Sequence, residues 1–313
     1  MNSCSNVDDD LTDTSQTSNL QSTDYQNFMF RIDSLNAVYQ ASVLNDPTRG
    51  LVQYIANSKI ESLADNAGRV VGGYLGRGLG SFVGGIFGSP IGAIGGYLVG
   101  RTVGSCAGSI LASYGALYLL TRSYTYVRTD SIKFDCYIPE NSPYGSDSLG
   151  YYHNLVMVEL SKNHVKYIGV GGSLNYELIY DDCVKILREN GFVDEGVFDD
   201  ETLRKDIIAY AEETVALSND CKNNIISENE YQLKLKDGMR DRNVPEEDVK
   251  IFTDFALKIV DTTALLPTDG KKDYADEVNN IIYDSALDPY VKLELSSTTN
   301  MLVNSSICSE SIK

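Results

Sequence analysis

Residues 66–121 read NAGRVVGGYLGRGLGSFVGGIFGSPIGAIGGYLVGRTVGSCAGSILASYGALYLLT, with glycine at Gly68, Gly72, Gly76, Gly80, Gly84, Gly88, Gly92, Gly96, Gly100, Gly104 and Gly108. Against a background of about 7% glycine, this unbroken interval of four is no chance arrangement. A strand and a helix both accommodate such an interval, so the bulky residues decide. Val70-Val71, Tyr74-Leu75, Phe82-Val83 and Ile86-Phe87 occupy both parities, which leaves a strand no apolar face. On a helix, positions i and i+4 share one stripe, and small residues there let two backbones approach closely. The row is a glycine zipper. Each glycine costs about 1 kcal/mol against alanine in an exposed helix, so the ladder predicts a buried or lipid-embedded helix.

Ser89 and Pro90 mark a turn, because proline lacks an N–H and suits the first turn of a new helix. The expected structure is a helical hairpin with arms at 67–88 and 91–121 and glycine stripes facing each other. The first arm is about 33 Å long, enough to cross a hydrocarbon core of about 30 Å. Arg77 and Arg101 lie equally far from Ser89, so the hairpin places both at one depth, about 18 Å from the turn. Two bare cations there would cost roughly 2.5–3.5 kcal/mol each in a bilayer. A water-filled pore, storage against an acidic domain or snorkelling to an interface would each relieve that cost.

Charge divides the chain around this segment. Residues 66–129 contain five arginines and neither lysine nor acid, giving +5, whereas 1–65 carry −6 and 130–313 carry −17 of the total −18. Four zones follow: an acidic, disordered tail at 1–30, short helices at 31–65, the zipper hairpin at 66–121 and an acidic domain at 122–313. Ile32, Leu35, Val38 and Tyr39 are spaced as on a helix, and Asn45-Asp46-Pro47 breaks that run. In the last zone, Tyr124/Tyr126, Ile132/Phe134 and parts of 155–170 alternate and predict two to four strands. Helical spacing is expected over 174–190, 200–218, 246–264 and 271–305, with a break in the last. The fold class expected is therefore α+β, a zipper hairpin joined to a mostly helical acidic domain with a small sheet.

The six cysteines form no CxxC pair, and free buried thiols are expected except at Cys4. Cys4, followed by the polar Asp8-Asp9-Asp10 tract, resembles the mature start of Bacteroidetes lipoproteins and is a candidate lipidation site. Together with the ladder over 68–108, it makes the chain resemble the glycine-zipper bacteriocin-like toxins of gut Bacteroidales, of the plasmid-borne, proteolytically activated type. That resemblance implies a secreted or outer-membrane surface-anchored lipoprotein that attacks the membranes of related bacteria after a protease frees its hairpin. It also implies self-association of the hairpin and a cell-surface receptor such as a glycolipid. Arg49, Arg122 and Arg128 stand at zone boundaries and are candidate cuts for an Arg-specific protease.

The competing expectation is a structural envelope lipoprotein with a permanently embedded hairpin. A nucleic-acid partner is excluded by the acidic balance, since such affinity comes from Lys and Arg neutralising phosphates. No enzymatic activity, cofactor or metal is expected: His153 and His164 stand eleven apart with no ligand-spaced neighbours. Gly169-Val170-Gly171-Gly172-Ser173 lacks the Walker Lys-Ser/Thr and reads as a turn before a helix. Asp181-Asp182 and Asp199-Asp200 read as helix-start acids.

Overall fold

The computed structural model describes residues 20, 22–44, 52–86, 90–121, 132–139 and 148–312. The helices are α1 (Thr23–Leu44), α2 (Val52–Ile86), α3 (Pro90–Thr121), α4 (Ser148–Lys162), α5 (Tyr176–Glu189), α6 (Glu201–Lys222) and α7 (Glu228–Asp241). After them come α8 (Glu246–Lys250), a π-helical turn (Ile251–Ala256), α9 (Leu257–Thr263), α10 (Thr268–Asp284) and α11 (Pro289–Ile312). Local chemistry starts several of them. The Asn175 and Asp200 side chains accept the Leu178 and Leu203 N–H groups at 3.1 and 2.8 Å, and Ser227 with Glu230 forms a capping box on α7.

The expected sheet is absent. Among the described residues 83% are helical and none lies in a sheet, so the fold is all-α rather than α+β. The stretch 155–170 forms the second half of α4 and two 3₁₀ turns, leaving one isolated bridge between Ile168 and Leu174. Alternation in parts of 155–170 suggested a strand, yet Gly150, His153, Asn154, Met157 and Leu160 are buried at helical intervals. Residues 132–139 belong to no helix or strand, and the Tyr137 backbone is satisfied by a side chain. Asn304 of α11 accepts the Tyr137 N–H at 2.8 Å and donates to the Tyr137 carbonyl at 2.9 Å, as a neighbouring strand would. Tyr124 and Tyr126 lie outside the described residues.

The hairpin of α2 and α3 stands between two apolar cores. On the α2 side, Leu63, Val70 and Val71 pack with Phe28 and Ile32 of α1, Phe252 and Phe255 of the π turn, and Tyr274 of α10. On the α3 side, Ile110, Leu111 and Tyr114 pack with Met157 of α4, Ile179 and Leu187 of α5, and Ile207 and Val215 of α6. Each fully buried aliphatic or aromatic side chain contributes about 1.5–3 kcal/mol, so both arms are held by their surroundings as well as by each other. Lys222, in the last turn of α6, donates to the Leu119 and Leu120 carbonyls and caps the end of α3.

Candidate functional site

The ladder is the contact between the arms. A Cβ built on Gly68 would strike the Gly108 carbonyl, one on Gly72 the Gly104 carbonyl, and one on Gly76 the Gly100 carbonyl. Gly104 and Gly108 meet the Gly72 and Gly68 carbonyls in return. Every pair is symmetric about position 88, one residue before the expected centre at Ser89. Arg77 and Arg101 are therefore offset by two residues, about 3 Å along the hairpin, rather than level. The backbone remains helical through Gly80, Gly84, Gly92 and Gly96 and from Pro90 onward. Cys4, Arg49, Gly88, Ser89, Arg122 and Arg128 lie outside the described residues.

Beside the glycine stripe runs a second one. Asp65, Arg69, Gly73 and Arg77 on α2, and Arg101, Ser105, Ser109 and Ser113 on α3, repeat at four, and six of these eight follow a ladder glycine directly. This polar stripe faces α11, whose Ser/Thr/Asn-rich length is buried from Glu294 to Ser309. Arg69 donates to Thr298 at 2.7 Å and to Asn66 at 3.0 Å, and sits 3.7 Å from the Glu294 carboxylate. Arg101 is ion-paired with the same Glu294. Further along, Ser109 donates to Asp65, and Ser309 donates to Glu61 at 2.7 Å. Partners rise in number along α11 as they fall along α2, so the two helices run antiparallel.

The charge at the outer end of this seam is shared by two sheath segments. Arg77 binds Asp248 of α8 at 2.9 Å and donates to the Tyr290 hydroxyl at 2.7 Å. The Tyr290 ring also lies 5.9 Å from the Arg77 guanidinium and 5.4 Å from that of Arg101. Asp248 and Glu294 together face three guanidiniums in a small buried pocket. Their side chains, with those of Arg69, Arg77 and Arg101, are 3–11% exposed. Neither acid was legible as a partner, because 171 and 193 residues separate each from the arginine it binds (Arg77 and Arg101). The four-residue recurrence of polar side chains was the available signal for the stripe itself.

Deeper in the seam, Asp65 lies 3.7 Å from His153 Nε2, with both side chains fully buried. Burial pushes the Asp65 carboxyl up, opposed by the His153 imidazole, the Ser109 and Ser305 hydroxyls and Arg69. A raised carboxyl means that the folded state binds the proton more tightly, so ionised Asp65 costs stability at neutral pH. That cost vanishes as pH falls below the ordinary value of 3.8. Asp65→Asn is expected to raise the urea midpoint at neutral pH, with the gain disappearing below pH about 4. A lower midpoint for the variant at neutral pH would show that the ionised carboxylate is favourable where it stands.

The remaining candidates form no second site. His164 is half-buried, and no group of three His, Cys, Asp or Glu could hold a metal among the described residues. The described cysteines form no disulfide: Cys106, Cys183 and Cys308 are buried, and Cys136 and Cys221 are half-buried. Val170–Gly172 is a 3₁₀ turn ahead of α5. Asp200 caps α6, whereas Asp182 lies inside α5, bound to Lys166 and Tyr167. Among the described residues one span, Gly100–Leu120, is apolar and long enough to cross a membrane, with a mean hydropathy of 1.4, and 89% of its most apolar stretch is buried. No protein-family model, curated protein or solved structure matches the chain.

Proposed function

We propose that the protein is an antibacterial toxin whose zipper hairpin inserts into and permeabilises target bacterial membranes once proteolysis loosens its sheath. The observation that carries this reading is the enclosure of α2 and α3, from Ser58 to Arg77 and from Gly100 to Leu120, by helices that bury both arms. A membrane-length apolar helix kept out of water, with a partner arm already docked through backbone contacts, needs only loss of its cover to become membrane-active. The polar seam supports a second conformation. Asn66 Nδ2, Ser113 Oγ and Asn300 Nδ2 are buried without hydrogen-bond partners, each at a cost of about 1–3 kcal/mol that solvation elsewhere would remove.

A hairpin embedded permanently in the producer's envelope is the competing reading. It would strip α4, α5, α6 and α11 of the surface that now covers their apolar faces, which weighs against it. Dye release from anionic liposomes separates the two. Intact protein is expected to be silent, and protein digested with an Arg-specific protease to release dye. Arg49→Lys, Arg122→Lys and Arg128→Lys, combined, are expected to abolish that activation. No release by the digested protein, with cleavage verified, would sink the toxin reading. Release that persists in the triple variant would relocate the cuts.

A further inference from the structure

The polar stripe determines what the hairpin would conduct, an inference that rests on the pore-forming reading above. The acid-free segment 66–121 contains three charged side chains, Arg69, Arg77 and Arg101. In the folded protein the acids that form ion pairs with them, Asp248 and Glu294, belong to the sheath. Apart from α1, the sheath lies within 130–313, which carries −17 and has no apolar helix of membrane length among its described residues. When the hairpin leaves, these two acids stay behind, and Asp65 of α2, about 35 Å from the turn, lies beyond the hydrocarbon core.

Geometry fixes where the cations then stand. With the hairpin centred on position 88, Arg77 lies about 17 Å and Arg101 about 20 Å from the turn, inside a core of about 30 Å. Arg69 lies about 29 Å away, at the far interface. Cations at that depth require water, and they share a face with Ser105, Ser109 and Ser113 rather than with the bulky apolar residues. The glycine stripe beside them is already consumed by the partner arm.

We infer that this stripe lines the aqueous path of assembled hairpins and that Arg77 and Arg101 form a cationic ring that makes the pore anion-selective. Rings of Arg or Lys in a low-dielectric wall concentrate anions and repel cations, and no carboxylate in 66–121 offsets them.

The test is the reversal potential of digested protein in planar bilayers under a KCl gradient. The expected value lies toward the chloride equilibrium potential. Arg77→Gln/Asp248→Asn and Arg101→Gln/Glu294→Gln remove each cation with its partner, and Arg69, which also faces Glu294, keeps its hydrogen bonds to Thr298 and Asn66. Combined, they are expected to move the reversal potential toward zero while conductance persists. Arg77→Lys/Arg101→Lys is expected to keep the wild-type sign. Cation-selective or non-selective conductance by the wild-type protein would overturn the inference and leave the pore reading standing, as would anion selectivity that survives both Gln/Asn pairs. Absence of any conductance would overturn both.

Discussion

Gly72→Ala is expected to destabilise the protein by about 3 kcal/mol, and Gly72→Ile to prevent folding. The estimate rests on what the new atom meets. A Cβ at Gly72 falls on the Gly104 carbonyl, and a rotamer change cannot move a main-chain oxygen. The arms must separate instead, and every reciprocal pair from Gly68 to Gly108 loses its contact with them. Alanine's helix propensity offsets about 1 kcal/mol of this, whereas the larger side chain adds overpacking against a total stability of about 5–15 kcal/mol. Gly238 is the control. It lies within α7, and the nearest atom to its Cβ is the Glu213 Oε1 at 3.3 Å, the mobile end of a side chain. Gly238→Ala is accordingly expected to be neutral or to stabilise by up to about 1 kcal/mol. Urea unfolding followed by circular dichroism measures both. Equal effects at the two positions would mean that the ladder does not hold the arms together.

The ladder could be read from the chain because its information is local: one residue type, one interval and one consequence for backbone approach. The helices after residue 174, except α7, were legible for the same reason. Asp200 begins α6, and Pro245-Glu246-Glu247 begins α8. The sheet was misread where β-branched residues fill a helix whose burial is set by neighbours. Val156 and Val158 would share one face of a strand, but on α4 they lie on different sides of the helix and both are buried in the core shared with α3 and α5. Tyr137 shows a different limit. Ile132 and Phe134 suggested a strand there, yet the segment joins no sheet and the groups that satisfy the Tyr137 backbone come from Asn304. No alternation pattern distinguishes a strand paired with another strand from one paired with an amide side chain. Asp248 and Glu294 were hidden more completely, since an ion pair across the fold leaves no trace in spacing.

Glu294→Gln is expected to cost about 3–5 kcal/mol, because it leaves two buried guanidiniums without their shared carboxylate. Glu294 is 3% exposed, and Arg69 and Arg101 converge on it from opposite arms of the hairpin. Glutamine preserves shape and one acceptor oxygen but presents an amide N–H₂ to the second cation. Asp248 still holds Arg77, so the loss falls on the contact between α11 and the inner half of the seam. An exposed pair behaves differently: Glu189→Gln, opposite Lys185 at 3.8 Å with side chains 62% and 68% exposed, should cost well under about 1 kcal/mol. Arg101→Gln/Glu294→Gln should recover part of the loss by removing one of the stranded cations. On the toxin reading, the weakened clasp has a second consequence. Intact Glu294→Gln protein should release dye from anionic liposomes without protease, because α11 no longer outcompetes the bilayer for the hairpin. Wild-type stability in Glu294→Gln would show that the carboxylate does not hold the arginines. Lost stability with no gain in release would show that α11 holds the fold together without restraining the hairpin.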